Sequence, residues 1–371
     1  MKNFAMNKVN PFKFGSIVEE PYFTNRIEEQ EIIRNILQSA THLIVISPRR
    51  YGKTSLVKKV VNSLNRPLIF LDLQLVTDVN DLASQILKKI YRLYPFTKLK
   101  NSFKHFRIVP SIHLNPQTNE VDVTFSPTTN YLPMLEDVFN LLENLGSEKK
   151  KPIVVLDEFQ EINGIGSNLD RQLRAIIQHH QNVNYVFLGS VESMMREIFE
   201  KKKSPFYHFG QLMLLSKISF DDFSDFISSG FKNETKDGRN LATQILNITH
   251  CHPYYTQQLA FTVWNKWNSD SKIDELVNSA VNHLIQIHDL DYQRFWQNLN
   301  QTDKKILIFI AKGYANMLAQ STLMQMGIAS TSTLYSGLKR LTQQGYIIRE
   351  NDKYELDDPF FKIWLLKRRN E

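Results

Sequence analysis

The segment Ser47-Pro48-Arg49-Arg50-Tyr51-Gly52-Lys53-Thr54-Ser55 follows an apolar run, His42 to Ile46, and precedes the helix-like Leu56 to Val61. Phosphate binding needs backbone N–H groups converging at a helix N-terminus and a glycine where a side chain would obstruct the approach. It also needs a lysine for the β- and γ-phosphates and a hydroxyl for Mg²⁺. Gly52, Lys53 and Thr54 supply the glycine, the lysine and the hydroxyl, within a loop running from Pro48 to Ser55. Ser47 stands where the pattern begins with glycine, so the strict motif is not met. Further on, Ile153-Val154-Val155-Leu156-Asp157-Glu158 sets two carboxylates at the end of an apolar strand, the edge where ligands sit in open parallel sheets. This is a Walker B pattern: Asp157 is expected to hold Mg²⁺ through water, and Glu158 to orient or deprotonate an attacking water. Each motif alone has a plain structural reading, a basic turn or two acids ending a strand. Their coincidence points to a nucleoside triphosphate.

Positioning such groups requires a sheet. From about Phe12 to Ile218, short β-rich runs alternate with helical stretches, which predicts an α/β domain with a parallel sheet. The expected strands are 42–46, 68–73, 153–157, 185–189 and 212–215, none alternating cleanly, as strands buried on both faces should not. Between the second and third, Phe106–Val109 and Val121–Phe125 flank Asn115-Pro116-Gln117-Thr118-Asn119 and predict an inserted β-hairpin at about 105–126. From 219 to 300 the periodicity turns helical, over 223–231, 240–248 and 273–287. The last segment, 301–371, reads helix (302–311), helix (320–326), helix (332–343) and two strands (346–349, 353–356) turning at Asn351-Asp352, the order of a winged helix.

The residues around these motifs resemble the archaeal-type ATPases found in archaea and bacteria, in the STAND branch of AAA+-like P-loop ATPases. The resemblance rests on Phe23-Thr24-Asn25-Arg26-Ile27-Glu28-Glu29, similar to the family's phenylalanine-glycine-arginine-glutamate motif, and on Pro48 to Thr54 and Leu156-Asp157-Glu158-Phe159-Gln160. Phe187-Leu188-Gly189-Ser190 and His252-Pro253-Tyr254-Tyr255 complete it, from about residue 10 to the end. It implies an ATPase core, a helical lid and a winged helix, with ATP and Mg²⁺ as cofactors. It further implies that Arg26 lies near the nucleotide base and that Ser190 is a sensor of the γ-phosphate or attacking water. Pro253 would lie against the nucleotide and couple its occupancy to the lid. Ser190 also reads as a simple strand-end hydroxyl, and Pro253 as a turn between lid helices. Asn25 and Ser47 replace family glycines. His208 and Gln211 occupy a segment, Pro205 to Gln211, that in the family often carries arginine. Arg171 and Arg174 are the alternative arginine fingers, or solvated helix charges.

Composition limits the partners. With 371 residues, 42% hydrophobic, the chain can bury two or three cores. A single cysteine, Cys251, cannot form an intrachain disulfide. His250-Cys251-His252 lacks the spaced partners of a zinc site. Met1 to Lys13 lacks the apolar stretch of a secretory signal and nothing is long enough to span a membrane, so a cytoplasmic protein is expected. The net charge of +7 permits an anionic partner. From Thr302 to Glu371 there are 11 Lys and Arg against 7 Asp and Glu, but +3 of that excess lies in 359–371 and the winged helix proper carries +1. DNA binding normally needs more. The partners expected beyond ATP and ADP are therefore a protein, a second copy of the chain, or DNA through the winged helix. Phe360, Phe361, Ile363, Trp364 and Leu365 form an apolar stripe expected to pack as core.

Overall fold

The computed structural model describes residues 9–370 except 115–116, 118–120, 127, 129, 269, 271, 315–316, 318 and 351–352. The expected turn at Asn351-Asp352 lies outside the described residues, as does most of the one at 115–119. The chain forms two compact bodies: residues 26–48 with 53–216, and residues 1–25 with 49–52 and 217–371.

The first body is built on five parallel strands: β1 (Leu43–Ile46), β2 (Leu68–Asp72), then, after a hairpin of β3 (Ser111–Leu114) and β4 (Val121–Thr124), β5 (Ile153–Asp157), β6 (Asn184–Gly189) and β7 (Gln211–Leu214). They are ordered β2-β5-β6-β1-β7. Every residue of β1, β5 and β6 is buried. Helices therefore cover both faces, and these strands need no polar alternation. At the edge opposite the strand ends, Arg66 donates to Lys151 O (2.7 Å), to Leu37 O and to Asn184 Oδ1, while the Asn184 amide donates to Ser39 O (3.1 Å). This polar clamp pins the starts of neighbouring strands in register.

The inserted hairpin is present, with one arm displaced from its expected place. β3 spans Ser111–Leu114 and β4 spans Val121–Thr124, paired antiparallel. Phe106 is instead a buried core residue whose ring packs edge-on against Phe103 at 5.3 Å. Pro110, lacking an N–H, separates this anchor from the strand.

The second body holds four helices, Phe220–Gly230, Gly238–Thr249, Pro253–Lys266 and Ile273–Asn298, the last reaching well past the expected end at 287. Helices Gln301–Ala311, Gln320–Met326 and Thr331–Gln343 follow, then β8 (Ile347–Glu350) paired with β9 (Lys353–Leu356), and a terminal helix Pro359–Asn370. That last helix is the apolar stripe of the tail: Phe360, Phe361, Trp364 and Leu365 are buried in a core that runs continuously from Phe12 through residues 218–365.

One buried histidine ties the first body to pH. His42 Nδ1 accepts the Tyr185 N–H at 3.3 Å, and its ring packs on Phe209 at 4.6 Å. Burial, reinforced by the nearby His180, Arg174 and Lys151, drives its imidazole from 6.5 to about 4. A depressed folded value gives a contribution present above the unfolded value and lost as pH falls through the folded one. Acidification from pH 6.5 towards 4 should therefore cost the wild type ~3 kcal/mol of stability. Urea unfolding at pH 7 and 4.5 tests this: His42→Gln should flatten the difference, and equal wild-type stability at both pH values would refute it.

Candidate functional site

The helix Lys53–Ser63 starts directly after the loop that leaves β1. Its first turn points backbone N–H groups at the sheet edge where β5 and β6 also end. Gly52 has φ +88°, and a Cβ there would meet nothing within 4 Å. The glycine is therefore required by backbone sign rather than by space. Arg50 shares the left-handed region at φ 65°.

Four side chains of the first body converge on the Walker B carboxylates. Lys53 Nζ lies 3.0 Å from Glu158 Oε1 and 3.9 Å from Asp157 Oδ1. Thr54 Oγ1 donates to Asp157 Oδ2 at 2.8 Å. Ser190 Oγ donates to Glu158 Oε2 at 2.6 Å, and Gln160 Nε2 donates to the same oxygen at 2.5 Å. Lys53, Asp157, Glu158 and Gln160 are all buried. Because β6 lies between β1 and β5, Ser190 at its end faces both motifs.

The two carboxylates are tuned apart. Burial pushes Asp157 above the usual carboxylate range, ahead of the opposing pull of Lys53 and Thr54. Burial acts the same way on Glu158, but the Lys53 charge and the hydrogen bonds from Ser190, Gln160 and Lys53 outweigh it and hold its carboxyl low. Glu158 also sits in the left-handed region, φ 53° and ψ 47°, which costs roughly 1 kcal/mol for a residue with a Cβ. Phe159, the next residue, anchors this turn by packing on Phe187 (4.6 Å), Phe206 (5.2 Å) and Phe199 (5.6 Å).

Arg26, buried in the same body, bonds Glu29 Oε1 at 2.8 Å and Ser216 O at 2.6 Å. Asn25 and Arg26 both have positive φ, 50° and 64°. Asparagine enters this region more readily than most residues with a Cβ, which explains how it stands in for the family's glycine. Ser47 is not among the residues with positive φ and its hydroxyl donates to Pro48 O at 3.2 Å. Arg174 lies 4.2 Å over the Phe209 ring and donates to Gln178 at 2.9 Å; Arg171 is exposed.

Residues 49–52 belong to the second body. There the Arg50 guanidinium lies 4.6 Å over the Tyr254 ring and donates to Tyr255 Oη at 3.3 Å. Tyr51 packs edge-on against His252 at 4.9 Å. Pro253 is the first residue of the helix Pro253–Lys266, and His252 caps it by accepting the Tyr254 N–H at 3.2 Å. His252 Nε2 lies 3.5 Å from Asp357, and the half-buried Asp358 accepts from Tyr292 Oη at 2.9 Å and from the Phe360 N–H at 2.8 Å. Sequence reasoning missed Gln160, Tyr254 and Tyr255 as participants. Their places within Leu156–Gln160 and His252–Tyr255 were the available signal.

This arrangement can bind a triphosphate and activate water. The Thr54 hydroxyl and Asp157 carboxylate are hard oxygen donors that fit Mg²⁺, which takes one or two protein ligands and completes its shell with phosphate and water. Among the described residues no group of three or more His, Cys, Asp and Glu is placed to hold a metal by itself.

A family profile described as an ATPase domain predominantly from Archaea matches residues 23–259. A second, described as "Probable winged helix domain", matches residues 290–367. No curated protein matches the chain. Among solved structures, a Walker-type ATPase of Pyrococcus abyssi is similar over 96% of this chain and 99% of its own, with 20% identity and a TM-score of 0.69. The ORC2 protein of Aeropyrum pernix, solved in ADPNP-ADP complexes, is similar over 97% and 100%, with 18% identity and a TM-score of 0.54. The ORC1 protein of the same organism, solved in complex with DNA, covers 94% and 93% with 12% identity and a TM-score of 0.50. At such identities the likeness establishes the fold.

Removing one partner of the buried pair should expose its energetics. Lys53→Met leaves Glu158 desolvated without its counter-charge, and should destabilise the first body by ~3 kcal/mol at pH 7. The Glu158 carboxyl then rises above its unfolded value, so the variant should gain stability relative to wild type as pH falls. Adding Glu158→Gln should recover most of the loss. Denaturant melts that give Lys53→Met wild-type stability would overturn the buried-pair description.

Proposed function

Because the chain belongs to the family of ATPase domains found predominantly in Archaea, and so binds and hydrolyses ATP, we propose that it works as a slow, nucleotide-dependent switch of the STAND type. The observation that carries this reading is the 3.0 Å bond between Lys53 and Glu158. On this reading the β- and γ-phosphates compete with Glu158 for the Lys53 ammonium. A bound triphosphate takes Lys53, and Glu158, relieved of its partner, becomes free to accept a proton from water in line with the γ-phosphorus. Ser190 and Gln160 keep its carboxylate aimed while this happens. Thr54 and Asp157 would hold Mg²⁺, which would supply positive charge against the phosphates. Slow turnover is supported by Arg174, one of the two alternative arginine fingers, whose guanidinium packs on Phe209 and donates to Gln178.

The switch reading draws on the second body. Arg49 to Gly52 share that body with the helical and winged-helix segments, whereas Lys53 and Thr54 belong to the sheet. Phosphate binding that reshapes this loop would act on the contacts of Arg50 and Tyr51 with Tyr255, Tyr254 and His252. Asp357 and Asp358 carry those contacts to the start of the terminal helix. Arg26 and Pro253 are the residues we assign to the nucleotide's base side.

For the output, we favour a protein partner or self-association. The ORC1 relative was solved with DNA, which supports DNA as a second reading. However, Arg340, one of two cations on the helix Thr331–Gln343, is spent on a bidentate pair with the buried Asp303, at 2.6 and 2.8 Å. No helix among the described residues is long and apolar enough to cross a membrane, and a cytoplasmic location is our assignment.

Two measurements test these readings. Glu158→Gln should retain ATP binding while multiple-turnover phosphate release falls about a hundredfold or more; unchanged release would remove Glu158 from the chemistry. Partners captured by Glu158→Gln in ATP should survive nuclease treatment, whereas loss of all of them would turn the assignment to DNA.

A further inference from the structure

The second body contains a cavity of about 520 Å³ beside the helix Thr331–Gln343, within the range of small-molecule sites. Tyr314, Tyr335 and Tyr354 line it together with Arg349, Lys353 and Lys362, over an apolar floor that includes Leu338 and Ile310. The cations come from three separate elements, β8, β9 and the terminal helix, and only the fold brings them to one wall.

Three observations indicate what this cavity fits. First, Glu355, the acid on the wall, already has a partner: Lys217 Nζ lies 3.3 Å from it and 2.7 Å from Glu350. Among the described residues no carboxylate lies within ion-pair distance of the Lys353 or Lys362 ammonium groups. Secondly, Tyr335 is 54% exposed and Tyr314 49% exposed, two large rings left half in water at the cavity, Tyr314 resting on Phe309 at 4.7 Å. Thirdly, the Arg349 guanidinium lies 5.8 Å over the Tyr354 ring, which presents one more flat cationic and aromatic surface. Flat faces over an apolar floor favour a ring, and two ammonium groups favour an anion on it.

We propose that this cavity binds a small aromatic anion of about mononucleotide size, its ring against the tyrosines and its phosphate or carboxylate on Lys353 and Lys362. The site is separate from Lys53 and the Walker B carboxylates and does not depend on their chemistry. It would give the chain a second ligand, of the kind a switch could use as its stimulus.

The full chain, free of ATP, is titrated by fluorescence anisotropy against mant-GMP. Saturable binding is expected, and it should weaken about tenfold or more in Lys353→Ala/Lys362→Ala, which leaves the phosphate loop intact. Tyr335→Ala should weaken it too, while Lys339→Ala, on the same helix but outside the cavity, should leave it unchanged. Competition by unlabelled GMP alone would identify a phosphate ligand, and competition by indole-3-acetate as well would extend the site to carboxylates. Absence of saturable binding below about 1 mM, or binding indifferent to the Lys353 and Lys362 substitutions, would overturn the proposal.

Discussion

One buried ammonium facing two buried carboxylates is the constraint around which the first body is arranged. Lys53 can neutralise only one of Asp157 and Glu158, and it sits closer to Glu158, 3.0 against 3.9 Å. Asp157 is left with a hydroxyl partner and a carboxyl pushed up by burial. Such an imbalance is costly inside a protein unless a further cation or a proton answers it. The strand order maintains it, because β6 between β1 and β5 delivers Ser190 to Glu158 while keeping the two motifs on one edge. The aromatic cluster around Phe159 holds Glu158 in a backbone conformation that it would otherwise leave.

Much of this was legible because it is local. The central parallel strands β1, β5 and β6 declare themselves as unbroken apolar runs, since both their faces are buried and no alternation is required, whereas β2 alternates and the edge strand β7 is partly exposed. Lys53, Thr54, Asp157 and Glu158 are legible for a related reason: each lies within a few residues of the strand or helix end that aims it. The arm of the hairpin was harder. Phe106-Arg107-Ile108-Val109 has strand composition, yet Phe106 is consumed by the core and Arg107 by Asp137, whose carboxylate accepts from both its backbone and its guanidinium. The real strand, Ser111–Leu114, carries a histidine and a serine and signals weakly. The helix at Pro253 was obscured because proline reads equally as a turn or as a first helical residue, and only the His252 cap decides between them.

What remained hidden depends on long-range pairing. Gln160 looks like a polar residue after an acidic pair until its amide is found on the Glu158 oxygen that Ser190 also holds. Arg50 looks like a phosphate-loop cation, yet it is engaged by two tyrosines some two hundred residues away in sequence. No periodicity or motif encodes such a contact, because the spacing that creates it is spatial.

The same distinction governs the winged-helix charge. Counting along the chain gives a nearly neutral module with a basic tail, and this argues against a strong phosphate footprint. Position refines the count. Arg340 is ion-paired by Asp303, and Lys217 is shared between Glu350 and Glu355. Arg349, Lys353 and Lys362 are then concentrated around one aromatic cavity. A duplex recognises a broad potential that follows its backbone, and a near-neutral surface offers little of that. A small anion needs only two charges at one concave place, and Lys353 and Lys362 supply two on the lining of this cavity.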